Sequence, residues 1–216
     1  MSEFLLRLPD SRFSKEFLRS ARLYSTALEL IESRSDIAYQ LLISAVETLS
    51  GSALKRFKPT EDDQIENKKN VYNTARKLGL SEAASKQLAL EAAKSESWIK
   101  RKFVSFLMDN CGDELWSEDK VFLAPTRWLP DKEGFESALT QVYQARSSST
   151  HSGERFPATA GLGTGTMLPI EAMREIDSGN PMFPPVTWFE RVVQMALIKF
   201  ITDDLSSPLP IAQNIE

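Results

Sequence analysis

The stretch Asp36-Ile-Ala-Tyr-Gln-Leu-Leu-Ile-Ser-Ala-Val-Glu-Thr-Leu49 decides the fold class. In it Ile37, Ala38, Leu41, Leu42, Ala45, Val46 and Leu49 recur at helical steps, so about 100° per residue gathers them on one side. Gln40, Ser44 and Glu47 fall on the opposite side. Asp36 stands where an N-cap carboxylate would sit, and Gly51 where a helix can end. Upstream, Phe13, Phe17, Ala21, Tyr24, Leu28 and Ile31 form a second stripe behind Pro9 and Asp10-Ser11. Downstream, a polar connection leads to a short helix around Asn70–Leu78, closed by Gly79. Ser81-Glu82 then opens a long helical stretch to about Asn110, with Trp98, Ile99, Phe103, Phe106 and Leu107 on one side. Residues 133–148 carry Phe135, Ala138, Leu139, Val142 and Tyr143 at helical spacing, and the last helix repeats Trp188/Phe189, Val192/Val193, Ala196/Leu197 and Phe200/Ile201. No segment alternates with a period of two. The spacing predicts an all-α fold, a bundle of four principal helices with additional short ones, as one domain over 1–216.

Composition narrows the chemistry. An apolar fraction of 42% with 26% charged residues is that of a globular protein and excludes disordered, collagenous and coiled-coil classes. Lys and Arg number 26 against 30 Asp and Glu, a net charge of −4, so the chain as a whole presents no basic field. Cys111 is the sole cysteine and cannot form an internal disulfide; it reads as a core residue at a helix end. With His151 the sole histidine, a Cys/His metal cluster is excluded, and no metal or cofactor is expected. Residues 1–10 lack a continuous apolar run, and no window reaches the roughly 18 apolar residues of a membrane helix, so the expected setting is cytoplasmic, with no membrane.

The sharpest chemical feature is Arg146-Ser-Ser-Ser-Thr-His151. Arg146 projects within about 15° of the centre of the preceding apolar stripe, so its permanent charge needs a carboxylate, carbonyls or a phosphate opposite it. His151 lies about 140° further round, and the two converge only if the helix ends or distorts. Ser147–Thr150 and Ser152-Gly153 favour such an ending. Arginine stabilises charge on a phosphoryl oxygen and histidine moves a proton, so the pair can cut RNA without a metal. The plainer reading is that Arg146 anchors a carboxylate and His151 caps the helix. Glu47 reads as a solvated acid or, if its face is a dimer surface, as a partner for Arg146. Lys100, Arg101 and Lys102, with Lys94 and Trp98, form either a solvated face or an RNA backbone contact. Gly161-x-Gly163-x-Gly165 lacks the preceding strand and the Lys-Ser/Thr of a phosphate loop.

Val142-Tyr-Gln-Ala-Arg-Ser-Ser-Ser-Thr-His-Ser-Gly153 resembles the Tyr-x-x-Arg-Ser…His-Gly ending of the HEPN superfamily (higher eukaryotes and prokaryotes nucleotide-binding), in its Apea-like branch. Residues 36–49 are similar to that branch's second helix, and Lys100–Leu107 to a later one; the likeness spans roughly residues 14–204. The resemblance implies a HEPN-like bundle that dimerises so that two such motifs meet in one cleft. It further implies a metal-independent endoribonuclease acting on single-stranded RNA, in phage defence or a toxin–antitoxin setting with a protein partner or antitoxin. Arg146 and His151 match the motif, with Glu47 a weaker match. Ser147 departs from it, standing where many active members carry Asn, Asp or His. The alternative is a catalytically inactive module that binds RNA or a protein.

Overall fold

The computed structural model describes residues 6–94, 98–116, 132–154, 156–161 and 183–206, and within them the chain is an all-α bundle of eight α-helices with no strand. In chain order these are α1 (Ser14–Leu30), α2 (Ser35–Ala53), α3 (Glu61–Asn67), α4 (Lys69–Lys77), α5 (Glu82–Ala93), α6 (Ile99–Asn110), α7 (Phe135–Ser152) and α8 (Val186–Ser206). They fall into two compact units, one drawn from residues 1–54 and 100–216, the other from 55–99.

In the larger unit α2 is buried on more than one face. Of the predicted stripe Ala38, Leu42, Ala45, Val46 and Leu49 are inaccessible while Ile37 and Leu41 are half-buried, and Tyr39 and Ile43 from outside it are inaccessible too. Tyr39 stacks against Phe156 (5.3 Å between centroids) and Phe189 (5.1 Å), meets Phe183 at 5.3 Å, and donates its hydroxyl to the Pro184 carbonyl at 2.6 Å. Burial pushes its hydroxyl well above the ordinary tyrosine pKa. The predicted ends of α2 shift. Asp36 lies inside the first turn, where Arg34 holds both carboxylate oxygens at 3.2 Å and draws its pKa down, rather than capping the helix. Gly51 stays helical, and Leu54 N–H closes the last turn on the Ser50 carbonyl at 2.9 Å.

Against α2 lies α1, and the contact is made by small side chains. Ser20 and Ala27 of α1 and Ala38 and Ala45 of α2 are wholly buried, and the Ser20 hydroxyl donates to the Ala45 carbonyl at 2.7 Å. The stripe of α1 is therefore rotated from the predicted one, leaving Leu28 44% exposed. α8 contributes Trp188, Phe189, Val192, Val193, Ala196, Leu197 and Ile201 to the core, the repeated pairs read from the sequence, except that Phe200 is half-buried. Cys111, just past α6, donates its thiol to the Val192 carbonyl at 3.5 Å, and burial pushes that thiol up to about 12.

The long helix expected from Ser81 to Asn110 is two helices. α5 ends at Ala93, and Trp98, immediately before α6, has φ +56°. A left-handed residue cannot propagate a right-handed helix, so α6 cannot run back through Trp98 to join α5. The stretch from Gly112 to Asp131, with Trp116 and Trp128, reads from its sequence as an ordered connection, and its residues 117–131, like Gly163 and Gly165 of the glycine-rich segment, lie outside the described residues. Among the described residues no helix is long and apolar enough to cross a membrane.

Candidate functional site

The site is built where the polar side of α2 faces the end of α7. Arg146 Nη2 donates to Glu47 Oε2 at 3.1 Å, with only 27% and 18% of the two side chains exposed. One turn earlier, Tyr143 lies with its ring 6.0 Å from the guanidinium carbon, and its hydroxyl is hydrogen-bonded to Glu47. Burial first, then the Glu47 charge and hydrogen bond, push that hydroxyl up to about 12, with Arg146 opposing. Further along, Gln40 Nε2 donates to Ser149 Oγ at 3.1 Å. Gln40 and Glu47, on the polar side of α2, thus meet Ser149 and Arg146 in the opposite chain direction, forming a polar seam inside an apolar bundle.

The guanidinium therefore has the carboxylate its position on an apolar stripe demanded, and it comes from within the same chain. The cluster leaves Arg146 partly open to water, with donors beyond the one given to Glu47. α7 runs past the expected end at 148, helical through Ser147–Thr150 to Ser152, because those hydroxyl side chains do not break it, and it ends at Gly153, whose φ is +68°. His151 is thus on regular helix about 140° from Arg146, and exposed. Within one chain the arginine faces the seam and the histidine faces solvent. Ser147 is half-buried beside Arg146.

Of the basic residues read as RNA contacts, Lys100 is exposed at the start of α6, and Lys102 is half-buried. Arg101 pairs with Glu136 of α7 at 3.2 Å, and Lys94 pairs with Glu91 on α5 at 2.6 Å. Among the described residues no three Asp, Glu, His or Cys side chains gather closely enough to hold a metal ion. The Gln40–Ser149 pair was missed from sequence, and Tyr143, read as a position of its apolar stripe and of the motif resemblance, was given no role at the site. Their signal was a polar row, Gln40, Ser44 and Glu47, on a helix otherwise apolar all round. Comparison with family models, with curated proteins and with solved structures returns no match.

The pair's contribution is measurable. Arg146→Ala leaves a carboxylate with little access to water, and the expected loss of stability is about 1–3 kcal/mol. That is below the cost of breaking a fully buried pair, because both side chains keep some solvent. A cycle with Glu47→Gln is expected to give a coupling energy of about 1–2 kcal/mol in urea denaturation. Effects that simply add would contradict an energetic pair.

Proposed function

We propose that the protein is a metal-independent endoribonuclease of HEPN type, cutting single-stranded RNA at a site completed by two copies of the chain. The observation that carries this reading is the Glu47–Arg146–Tyr143 cluster on the same helix end as the exposed His151. Glu47 acts as a positioning residue, fixing the guanidinium so that its remaining donors meet a phosphoryl oxygen. Cleavage starts when the ribose 2′-hydroxyl loses its proton to a base and attacks the adjacent phosphorus. It ends when the 5′-oxygen leaves with a proton from an acid. A chain with one histidine supplies one imidazole. Two chains meeting at α7 supply two, one to take the proton and one to give it. The exposure of His151 is what such a meeting requires.

If the site is shared, specific activity depends on protein concentration. Light scattering is expected to give about twice the 24.3 kDa chain mass, and cleavage per chain of an unstructured RNA is expected to fall on dilution as dimers dissociate. Activity per chain that stays constant in a strictly monomeric sample would remove the two-copy site. A second reading, a module that binds RNA or a protein without cutting, is favoured by the neutralisation of Arg146 by Glu47 within the chain; RNA binding without cleavage would select it. Phage defence or a toxin–antitoxin pairing is the setting the resemblance suggests for such a nuclease.

A further inference from the structure

The unit formed by residues 55–99 has no part in the ribonuclease reading, and its local architecture is specific. α4 is followed by Leu78-Gly79-Leu80-Ser81 and then by α5. Gly79 takes φ +85°, Gly79 N–H bonds to the Arg76 carbonyl and Leu80 N–H to the Ala75 carbonyl, both at 3.1 Å, which ends α4 sharply. Nothing lies within 4 Å of where a Gly79 side chain would begin, so glycine is required by backbone conformation and not by space. Arg76 clamps the turn by donating to the Leu80 carbonyl at 3.0 Å. Ser81 restarts the chain as an N-cap, its hydroxyl accepting from Ala84 N–H at 3.2 Å. Ala75 on α4 and Ser85, Ala89 and Ala93 on α5 are the buried positions, small enough for close packing, and α5 packs on both α3 and α4. This is a helix, a four-residue turn with a left-handed glycine, and a second helix, backed by a third.

The outward faces of this unit are its second distinctive feature. α4 contains no acidic residue, and Lys69, Asn70, Asn73, Thr74, Arg76 and Lys77 are all exposed. Residues 55–99 hold nine Lys and Arg against seven Asp and Glu, a local excess of positive charge in a chain of net −4. On α5 the row turned away from Ser85, Ala89 and Ala93 runs through Ala83, Gln87 and Glu91, all exposed; the first two are uncharged, and Glu91 is paired with Lys94 at 2.6 Å. The ion pairs Lys69–Glu66 and Lys86–Glu82, each at 2.9 Å, are exposed and weak enough to yield to phosphate.

We propose that this unit is a helix-turn-helix that docks on duplex DNA. α5 enters the major groove with Ala83 and Gln87 toward the base edges, and α4 lies along the phosphates with Lys69, Arg76 and Lys77. A B-form major groove admits a helix and the narrow, deep groove of A-form RNA does not, so the geometry selects DNA over double-stranded RNA. Gln87 has the paired donor and acceptor that adenine presents in that groove. The proposal does not rest on the ribonuclease reading, since it uses no residue of the α2–α7 seam.

The test uses the full chain and a fluorescent 30-bp mixed-sequence DNA duplex, followed by anisotropy at several salt concentrations. Micromolar binding is expected at low salt. The combined K69E, R76E and K77E variant should weaken it at least tenfold and flatten the salt dependence by about 0.9 in log–log slope for each phosphate that the protein no longer neutralises. The same charge reversal on α1, K15E, R19E and R22E, should leave it within about twofold, and circular dichroism at unchanged amplitude verifies that both variants fold. Selection from a random duplex pool should enrich a sequence that shifts in Gln87→Ala. Absence of binding, equal weakening in the α1 variant, equal affinity for double-stranded or single-stranded RNA, or a pool left unenriched would each overturn the proposal.

Discussion

His151→Ala is expected to slow RNA cleavage by about 10²–10⁴-fold while leaving the folded state and the oligomeric state unchanged. The effect on rate is large because this chain has no second imidazole to substitute. The effect on stability is small because the side chain is exposed in the last turn of α7, where a basic group contributes about 0.3–1 kcal/mol. This contrast separates chemistry from structure: a histidine serving only to finish α7 would change melting behaviour and leave the rate alone. Single-turnover cleavage of an unstructured RNA in EDTA, beside a thermal melt of the same preparation, checks it. A variant that cuts as fast as the parent would remove His151 from the mechanism.

The largest effect on stability is expected at Tyr39. Its ring has no exposure and is walled by Phe156, Phe183 and Phe189, so Tyr39→Ala opens a cavity that these rings cannot close by themselves. A loss of about 3–5 kcal/mol is the usual cost of removing a buried aromatic ring. For a chain of this length that corresponds to a fall in Tm of roughly 6–20 °C. Tyr39→Phe keeps the ring and removes only the hydrogen bond to Pro184, at a cost of about 1–3 kcal/mol. Equal losses in the two variants would mean that the hydroxyl, not the ring, carries the stability.

Tyr39 also marks where reading from sequence stopped. A helix with one buried face shows its partner side as a single stripe, and the stripe of α2 was legible for that reason. Tyr39 and Ile43 lie outside it because α2 is enclosed on more than one side, and only the arrangement of Phe156, Phe183 and α8 around it reveals this. The break before α6 was hidden too. No proline or glycine occurs between Ala93 and Ile99, and Trp98 takes its left-handed conformation against its own preference. The start and stop at Gly79 and Ser81 were legible, because glycine and serine act through local backbone geometry.

The candidate site was legible in its parts and not in its pairing. Arg146 on an apolar stripe announced a buried charge seeking a counter-charge, and Glu47 on a polar row was a candidate for it. The two are 99 positions apart, and only the packing of α2 on α7 brings them to 3.1 Å. Tyr143 was read as a stripe position and as part of the motif, without the contact of its hydroxyl with the same carboxylate. His151 shows the opposite case: about 100° per residue already placed it off the face of Arg146, and the regular helix keeps it there. That divergence within one chain is what makes a second chain necessary for the proposed chemistry.

The measurement that bears most directly on the ribonuclease reading is product analysis after incubating the wild-type protein with a labelled single-stranded RNA in EDTA, beside a DNA strand of the same sequence. Attack by the neighbouring hydroxyl forms a ring, so the account predicts RNA fragments ending in 2′,3′-cyclic phosphate and an intact DNA strand, which lacks that nucleophile. Cleavage that requires magnesium, cuts DNA equally, or leaves a 3′-hydroxyl would contradict it.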